Sequence, residues 1–193
     1  MRLVEMERAT TETNIKVKIN LDEQRNISVS TGIPFFDHML FSFAKHSGIG
    51  LELKVIGDIE VDYHHTIEDT GIVIGEAIKI ALSNKQGIVR FGEATIPLDE
   101  ALSRVVIDIS GRPCLHWKVS FKRADDGNNI NPYLFEEFFK ALVNNSLITL
   151  HIDKIRGKNS HHIIESIFKS FARAFKMAIK IDGDSIPSTK GML

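Results

Sequence analysis

The feature of this sequence that most constrains its fold is an internal repeat. A His-His-x-x-Glu motif occurs twice, at His64, His65 and Glu68 and at His161, His162 and Glu165. Before each motif, Asp37-His38 corresponds to Glu136-Glu137, and residues 51–53 correspond to residues 150–152. The separation in sequence between the two motifs is two residues shorter than the separation between the other matching segments. A two-residue deletion in a loop explains the difference. Chance similarity is the alternative, but it would not preserve order, length and a rare motif. The sequence therefore predicts two copies of one unit.

Hydrophobic periodicity predicts the elements of each copy. In the first half, alternation predicts strands at 15–21, 27–30 and 51–55, and the polar turn 22–26 favours a hairpin between the first two. Helical spacing predicts helices at 35–46, opened by Pro34 and ended by Gly48, and at 64–82. In the second half, the corresponding predictions are strands at 103–109, 114–121 and 148–152, a loop at 125–129, and helices at 132–145 and 161–181.

These elements predict an α/β (α+β) protein made of a duplicated β-β-β-α-β-α unit. We divide the chain into a first repeat unit, residues 1–87, and a second unit with a C-terminal tail, residues 88–193. Each unit has helices on one face of its sheet. Burying those faces requires the two helix layers to pack together.

Composition excludes several classes of function. The formal charge of −1 gives no electrostatic reason to expect nucleic acid or an anionic membrane as a partner. No apolar run approaches the roughly 20 residues that cross a bilayer, and the N-terminus lacks the apolar core of a signal peptide. The only cysteine, Cys114, fits a reducing cytosol and is expected to be buried packing. We therefore expect a cytoplasmic protein.

The spacing within each motif suits a metal site. Positions i and i+4 of a helix share a face, so His64 and Glu68 can chelate one cation, as can His161 and Glu165. The neighbouring histidines, His65 and His162, then face a different cation. Imidazole with carboxylate suits Mn, Fe or Zn rather than Ca or Mg. A solvated helix N-terminus would explain one such motif, but not two at equivalent positions.

Two further residues are candidate ligands because the repeat relates them. His38 has aromatic neighbours that predict a mostly buried position, and its equivalent is Glu137, which is also a ligand type. Each cation then takes three histidines and one carboxylate, or two of each. His46 can face the same cavity as His38, or it can be a polar helix end.

Several cations and the C-terminal tail are weaker candidates. Arg90, Arg112 and Lys169 are scattered, and composition alone would leave them on the surface. The tail 186–191 combines hydroxyl groups, a lysine and a glycine, a mixture that can hold a phosphate. A frayed terminus is the other interpretation of such a tail.

Taken together, the motifs resemble those of the imidazoleglycerol-phosphate dehydratase family, and the resemblance covers essentially the whole chain. The segments that carry it are Arg8-Ala9-Thr10-Thr11-Glu12-Thr13, Gly32-Ile33-Pro34-Phe35-Phe36-Asp37-His38-Met39, His64-His65-Thr66-Ile67-Glu68-Asp69-Thr70-Gly71, Ser110-Gly111-Arg112-Pro113, Asn159-Ser160-His161-His162-Ile163-Ile164-Glu165 and Pro187-Ser188-Thr189-Lys190-Gly191.

The resemblance implies a fold, an assembly and a cofactor. Two four-stranded sheets should enclose a layer of four helices, and twenty-four subunits should assemble with two Mn2+ ions per subunit at their interfaces. One ion would be held by His38, His65, His161 and Glu165, and the other by His64, Glu68, Glu137 and His162. Many family members have histidine where this chain has Glu137, so metal affinity or preference could differ here.

The resemblance also implies a reaction. The expected activity is dehydration of D-erythro-imidazole-glycerol phosphate to imidazole-acetol phosphate and water in histidine biosynthesis, through an imidazolate bound by two manganese ions acting as Lewis acids. Glu12 matches the family's proposed acid/base, and His46, His65 and His162 complete the expected catalytic set. Besides Glu12, His46 and the metal ligands, substrate contacts are expected, mainly to the phosphate, from Arg90, Arg112, Lys169, Ser188, Thr189 and Lys190.

Two other functions compete with this one. A dinuclear metallohydrolase would use water as its nucleophile and would not need both metals spaced for one imidazole. A metal-storage or metal-stabilised cage protein would leave Glu12, Arg90, Arg112 and Lys190 without a role. A test for keto product from the imidazole substrate separates all three.

Overall fold

Each half of the chain folds into four strands and two helices in the same order. The computed structural model describes residues 1–121 and 130–193, so the loop predicted at 125–129 lies outside the described residues. The first half contains β1 (Leu3–Ala9), β2 (Thr13–Asn20), β3 (Ile27–Ser30), α1 (Pro34–Ser47), β4 (Gly50–Gly57) and α2 (His64–Leu82). The second contains β5 (Phe91–Leu98), β6 (Ala101–Asp108), β7 (Cys114–Lys118), α3 (Leu134–Ser146), β8 (Thr149–Arg156) and α4 (Ser160–Ala178).

The two sheets have the same topology. Their strand orders are β1-β2-β4-β3 and β5-β6-β8-β7. In each sheet the first two strands form an antiparallel hairpin, whereas the third strand runs parallel to the fourth. The hairpin predicted between residues 15–21 and 27–30 is therefore wrong, because β4 lies between β2 and β3. Alternation identifies a strand but not its partner, and α1 supplies the crossover that a parallel β3–β4 pair requires.

The four helices cover the inner faces of the sheets and pack on one another. Helix α1 packs against α4 and α2 against α3, so each helix pair joins the two halves of the chain. Helix α2 also contacts β2, and α4 contacts β5 and β6. Phenylalanine rings from three of the helices fill the centre, including Phe43, Phe139 and Phe171. The predicted class, two four-stranded sheets with four helices, is confirmed.

Close approach between α2 and α3 depends on glycine. A Cβ atom at Gly71 would lie 2.5 Å from the carbonyl oxygen of Phe138, and one at Gly75 would lie 2.6 Å from that of Leu142. These distances are shorter than any normal contact, so only glycine lets the helices pack this closely.

In the described part of the chain, no helix has the length and apolar character needed to cross a membrane.

The prediction that Cys114 is buried is wrong. Cys114 begins β7 and is exposed. Side chains alternate between the two faces of a strand, and along β7 it is Leu115 and Trp117 that pack against the core. Cys114 therefore falls on the outer face, together with His116.

Candidate functional site

Each doubled histidine lies at the start of a long helix. The backbone N–H of His64 donates to the Asp62 carboxylate at 2.7 Å, and that of His162 donates to the Asn159 side chain at 3.3 Å. These contacts satisfy N–H groups that the first helical turn leaves unpaired. The first turns of α2 and α4 therefore present their histidines in a fixed direction.

The i and i+4 members of both motifs meet with the same geometry. His64 Nε2 lies 3.2 Å from Glu68 Oε2, and His161 Nε2 lies 3.2 Å from Glu165 Oε2. Ligand bonds of about 2.1 Å at right angles would place two ligand atoms about 3 Å apart. Each pair is thus spaced as neighbouring ligands of one cation.

Glu165 is the most connected of these carboxylates. His38 Nε2 lies 3.5 Å from its Oε2, and Lys169 Nζ lies 2.7 Å from its Oε1. Burial alone would raise the pKa of Glu165, but the hydrogen bond and charge of Lys169, with smaller contributions from His38 and His161, lower it below its ordinary value. Glu165 is therefore ionised at neutral pH, as a metal ligand must be.

The prediction that His38 is mostly buried is wrong, because its side chain is 55% exposed in the single chain. The aromatic residues beside it turn in other directions. Phe36 is fully buried, and Phe35 packs on the His161 ring with 4.8 Å between ring centroids. His38 is left at the surface, where it faces Glu165 across the α1–α4 contact.

The other histidine of each motif contacts a different carboxylate. His65 Nδ1 lies 2.9 Å from Asp58 Oδ2, and His162 Nδ1 lies 2.6 Å from Glu100 Oε2. The hydrogen bond to Asp58 raises the pKa of His65. Backbone N–H donation from Asn159, followed by the bond to His162, lowers the pKa of Glu100 to about 2. Both rings are held through Nδ1, and Nε2 of His162 also lies 3.6 Å from Asp99 Oδ2.

Sequence reasoning missed Asp58 and Glu100. Asp58 follows β4, and Glu100 sits in the turn between β5 and β6, so neither belongs to a repeated motif. Strand pairing and helix packing, rather than local spacing, bring these carboxylates to the histidines. No local sequence signal marks them, because the contacts arise only once the sheets and helices are assembled.

Glu12 lies beside His65. The Thr10 hydroxyl accepts hydrogen bonds from the backbone N–H groups of Glu12 and Thr13, which shapes the β1–β2 turn. Glu12 Oε1 is then 3.8 Å from His65 Nε2, with the Glu12 side chain 50% exposed. A carboxylate far from the motifs in sequence is thereby placed next to a candidate ligand.

Within the described residues, neither Glu137 nor His46 makes a hydrogen bond or ion pair to the clustered histidines. Glu137 lies in the first turn of α3, which packs on α2, and its only ion pair within the described ranges is with Lys140, at 3.4 Å. Burial, together with the positive charges of Lys169 and Arg173, lowers the pKa of His46. His46 therefore favours its neutral form.

The phosphate candidates form a second group around the tail. Arg90 donates to both oxygens of Asp108 and to the carbonyl of Pro187, at 2.7, 3.1 and 2.8 Å. The Ser188 hydroxyl accepts from the backbone N–H of Lys190, and Arg112 folds back on Ser110. Lys169 belongs to the Glu165 cluster instead. Within the described residues, no hydrogen bond or ion pair joins the tail group to the histidines.

No complete metal site is present in a single chain. Among residues 1–121 and 130–193, no group of three or more His, Cys, Asp or Glu side chains converges closely enough to hold a cation. The structure brings candidate ligands together in pairs and small clusters near the starts of α1, α2 and α4, where the side chains of His38 and His64 are 55% and 43% exposed and that of Glu165 is only 12% exposed. Any site with a full ligand set would need donors from elsewhere.

Comparison with known proteins decides the family. Residues 31–175 match the family model for imidazoleglycerol-phosphate dehydratase. The imidazoleglycerol-phosphate dehydratase of Bordetella avium strain 197N is 52% identical over 196 residues, covering 100% of both chains. The chain belongs to the imidazoleglycerol-phosphate dehydratase family. The dehydratase of Marinomonas sp. strain MWYL1 is 51% identical, over 100% of this chain and 98% of its own.

Solved structures of this dehydratase family share the fold. The Staphylococcus aureus N315 enzyme superposes with a TM-score of 0.84 at 41% identity, covering 93% of this chain and 99% of its own. The Pyrococcus furiosus enzyme, solved in complex with (S)-C348, superposes with a TM-score of 0.85 at 36% identity, covering 97% and 100%. The duplicated architecture is thus that of the dehydratase family along nearly the whole chain.

Proposed function

We propose that this chain is a lyase that dehydrates D-erythro-imidazole-glycerol phosphate to imidazole-acetol phosphate in histidine biosynthesis, with two Mn2+ ions per subunit. The observation that carries the proposal is the pair of equivalent His–Glu contacts, both 3.2 Å, at the starts of α2 and α4. Two equivalent donor pairs suit a substrate ring with two nitrogen atoms. Full-length similarity to dehydratases supports the same reaction.

The residues present fit manganese. Mixed imidazole and carboxylate donors suit a first-row divalent ion, and Glu165 is ionised beside His38 and His161. We assign one ion to His38, His65, His161 and Glu165, and the other to His64, Glu68, Glu137 and His162. Bound manganese would supply Lewis-acid activation of the substrate imidazole.

Second contacts of the histidines support this ligand assignment. A ligating histidine usually donates its other ring N–H to a carboxylate, which fixes the tautomer and the ring orientation. Asp58 and Glu100 are placed to accept from Nδ1 of His65 and His162, which directs Nε2 toward a ligand. Glu165, whose side chain is 12% exposed, is in turn oriented by Lys169.

Glu12 is the proposed acid/base for the side-chain proton of the substrate. Its carboxylate is half exposed and lies 3.8 Å from His65 Nε2, so it can reach a substrate held beside that ring. His46, which burial and nearby cations keep neutral, would line the same site. Arg90, Arg112, Lys169, Ser188, Thr189 and Lys190 would hold the phosphate.

The proposal includes an assembly. The two candidate clusters of a single chain are incomplete and exposed, and the tail group is separate from them. We propose that neighbouring subunits complete each site in a homo-oligomer of twenty-four chains. Neither nucleic acid nor membrane is expected as a partner, and a cytoplasmic location is part of the proposal.

One experiment tests this function against its competitors. The purified protein is incubated with Mn2+ and imidazole-glycerol phosphate, and the keto product and inorganic phosphate are both followed. Keto product without phosphate release supports the dehydratase. Phosphate release without keto product would indicate a metallohydrolase. Manganese bound in stoichiometric amount, with neither product formed, would indicate a metal-storage or metal-stabilised protein.

A further inference from the structure

Asp69 is a buried carboxylate that the proposed reaction does not use. It lies in α2 next to Glu68, and only 9% of the residue is exposed. Its Oδ2 accepts a hydrogen bond from the Thr13 hydroxyl at 2.5 Å and lies 2.8 Å from Arg8 Nη1. These two partners come from β1 and β2, on either side of the β1–β2 turn. A buried carboxylate requires such partners, and here they fasten the turn to α2.

The turn that Asp69 fastens carries Glu12. Thr13 follows Glu12 directly, and its backbone N–H donates to the Thr10 hydroxyl at 3.0 Å. The backbone carbonyl of Glu12 accepts from the N–H of Asp58 at 3.1 Å. The backbone at Glu12 is therefore held by contacts that do not involve its carboxylate. The carboxylate itself stays accessible, since the Glu12 side chain is 50% exposed.

Helix α2 presents His65 and Asp69 to this turn together. Positions i and i+4 of a helix share a face, so both side chains lie on the side that meets the turn. His65 Nε2 lies 3.8 Å from Glu12 Oε1, while Asp69 holds Thr13, the next residue along the chain. The contact between Thr13 and Asp69 thus fixes how far the Glu12 carboxylate lies from His65.

We propose that Asp69 is a positioning residue that, through Thr13 and Arg8, places Glu12 for proton transfer to a substrate bound beside His65. The inference rests on the proposed function, because it needs Glu12 to act as the acid/base. Asp69 does not need to touch the substrate, since its Oδ2 is engaged beneath the turn. A misplacement of about 1 Å can lower a rate about 100-fold, so a loosened turn should lower kcat rather than raise KM.

The test removes the hydroxyl that donates to Asp69. Thr13→Val keeps the shape of the side chain, and its kcat should fall at least about tenfold with KM within about twofold. Thr13→Ser keeps the hydroxyl and should retain most of the wild-type kcat. Thr70→Val is the matched control, because Thr70 is also buried but its hydroxyl donates to the Thr66 carbonyl within α2. The control should leave kcat unchanged. Manganese content and particle mass are measured on each preparation.

A double-mutant cycle with Glu12→Gln separates positioning from a structural role. If Asp69 acts through Glu12, Thr13→Val should change kcat by less than about twofold in protein that already carries Glu12→Gln. Equal fold losses in the two backgrounds would overturn the proposal, because the contact would then support the fold and not Glu12. A metal-loaded Thr13→Val with wild-type kcat would overturn it as well.

Asp69→Asn provides a second variant if Thr13→Val does not assemble or loses metal. The amide keeps an oxygen that can accept from the Thr13 hydroxyl, but it loses the charge that faces Arg8. Its loss of kcat should likewise disappear in the Glu12→Gln background, and a loss that persists there overturns the proposal.

Failure of the proposed function would be recognised separately. Wild-type protein that forms no keto product would overturn the dehydratase assignment itself. Near-normal turnover of Glu12→Gln would remove Glu12 from the mechanism, and this inference with it, while leaving the dehydration intact. Equal losses in both backgrounds would overturn the positioning role of Asp69 alone.

Discussion

At the scale of single residues, the doubled histidines differ in what holds them. His64 and His161 meet a glutamate one turn along their own helix, whereas His65 and His162 are held by Asp58 and Glu100. The first contact follows from helical spacing and was predictable from sequence. The second depends on which strand ends lie beside the helix starts, so it required the fold.

Replacement of Glu12 by glutamine separates proton transfer from metal binding. Glu12→Gln keeps the size of the side chain but removes its basicity, so turnover should fall about 10²–10⁴-fold. Manganese content and substrate affinity should stay near wild type. All three quantities are measured on one preparation, with Glu7→Gln on neighbouring β1 as the exposed control. Near-normal turnover would remove Glu12 from the mechanism, and loss of metal would make it structural.

Glu100→Gln tests the contact that orients His162. The amide keeps an oxygen that can accept from the backbone N–H groups of Lys158 and Asn159, but it loses the charge that holds His162 Nδ1. Loss of such a second contact typically weakens metal affinity about 10–100-fold. Competition with a metal-binding dye measures the change, and Glu93→Gln on β5 is the control. Equal metal affinity in wild type and variant would mean that Glu100 only accepts hydrogen bonds from the backbone of Lys158 and Asn159.

Glu137→His tests the ligand assigned from the repeat. Histidine would make the first turn of α3 match that of α1, where His38 occupies the equivalent position. The variant should keep two manganese ions per subunit and at least part of the activity. Elemental analysis after gel filtration measures the metal. A variant that binds fewer than two ions would show either that Glu137 is misassigned or that its carboxylate is specifically required.

At the scale of elements, the sequence predicted which segments form helices and strands better than it predicted their partners. The repeat and the two periodicities placed both long helices and three of the four strands in each unit, but no predicted strand covered β1 or β5. They could not place β4 between β2 and β3, because strand pairing is set by the crossover helix and by burial of whole faces. Cys114 was misplaced for a related reason, since an apolar neighbourhood does not determine which face of a strand a residue occupies.

Gly71→Ala tests the close contact between α2 and α3. Alanine is favoured over glycine within a helix by about 1 kcal/mol. Here its Cβ would lie 2.5 Å from the Phe138 carbonyl, so the helices must move apart, at a cost of about 1–3 kcal/mol. The midpoint of thermal unfolding should therefore fall. Gly183→Ala, where a Cβ atom would meet nothing within 4 Å, is the control and should leave the midpoint unchanged. A higher midpoint for Gly71→Ala would mean that the helices adjust freely.

At the scale of the whole molecule, most of the candidate metal ligands are at least partly exposed on the surface of the single chain. The helix pairs that join the two halves also bring His38 to Glu165, yet no three donors within the described ranges converge on one cation. A single chain thus provides parts of two candidate metal sites and a separate set of candidate phosphate-binding residues. Completing those sites with other subunits would couple metal binding to assembly, because the free energy of metal binding would then contribute to subunit association.

Removal of manganese should therefore abolish activity and also break the particle into smaller oligomers. The protein is treated with a chelator, metal loss is verified by elemental analysis, and particle mass is followed by light scattering. Returning Mn2+ should restore both mass and activity, which excludes irreversible damage as the cause. Manganese-free protein that keeps the mass of the untreated particle would contradict the coupling. In that case the subunits associate through other surfaces, and the metal ligands would serve catalysis without supporting assembly.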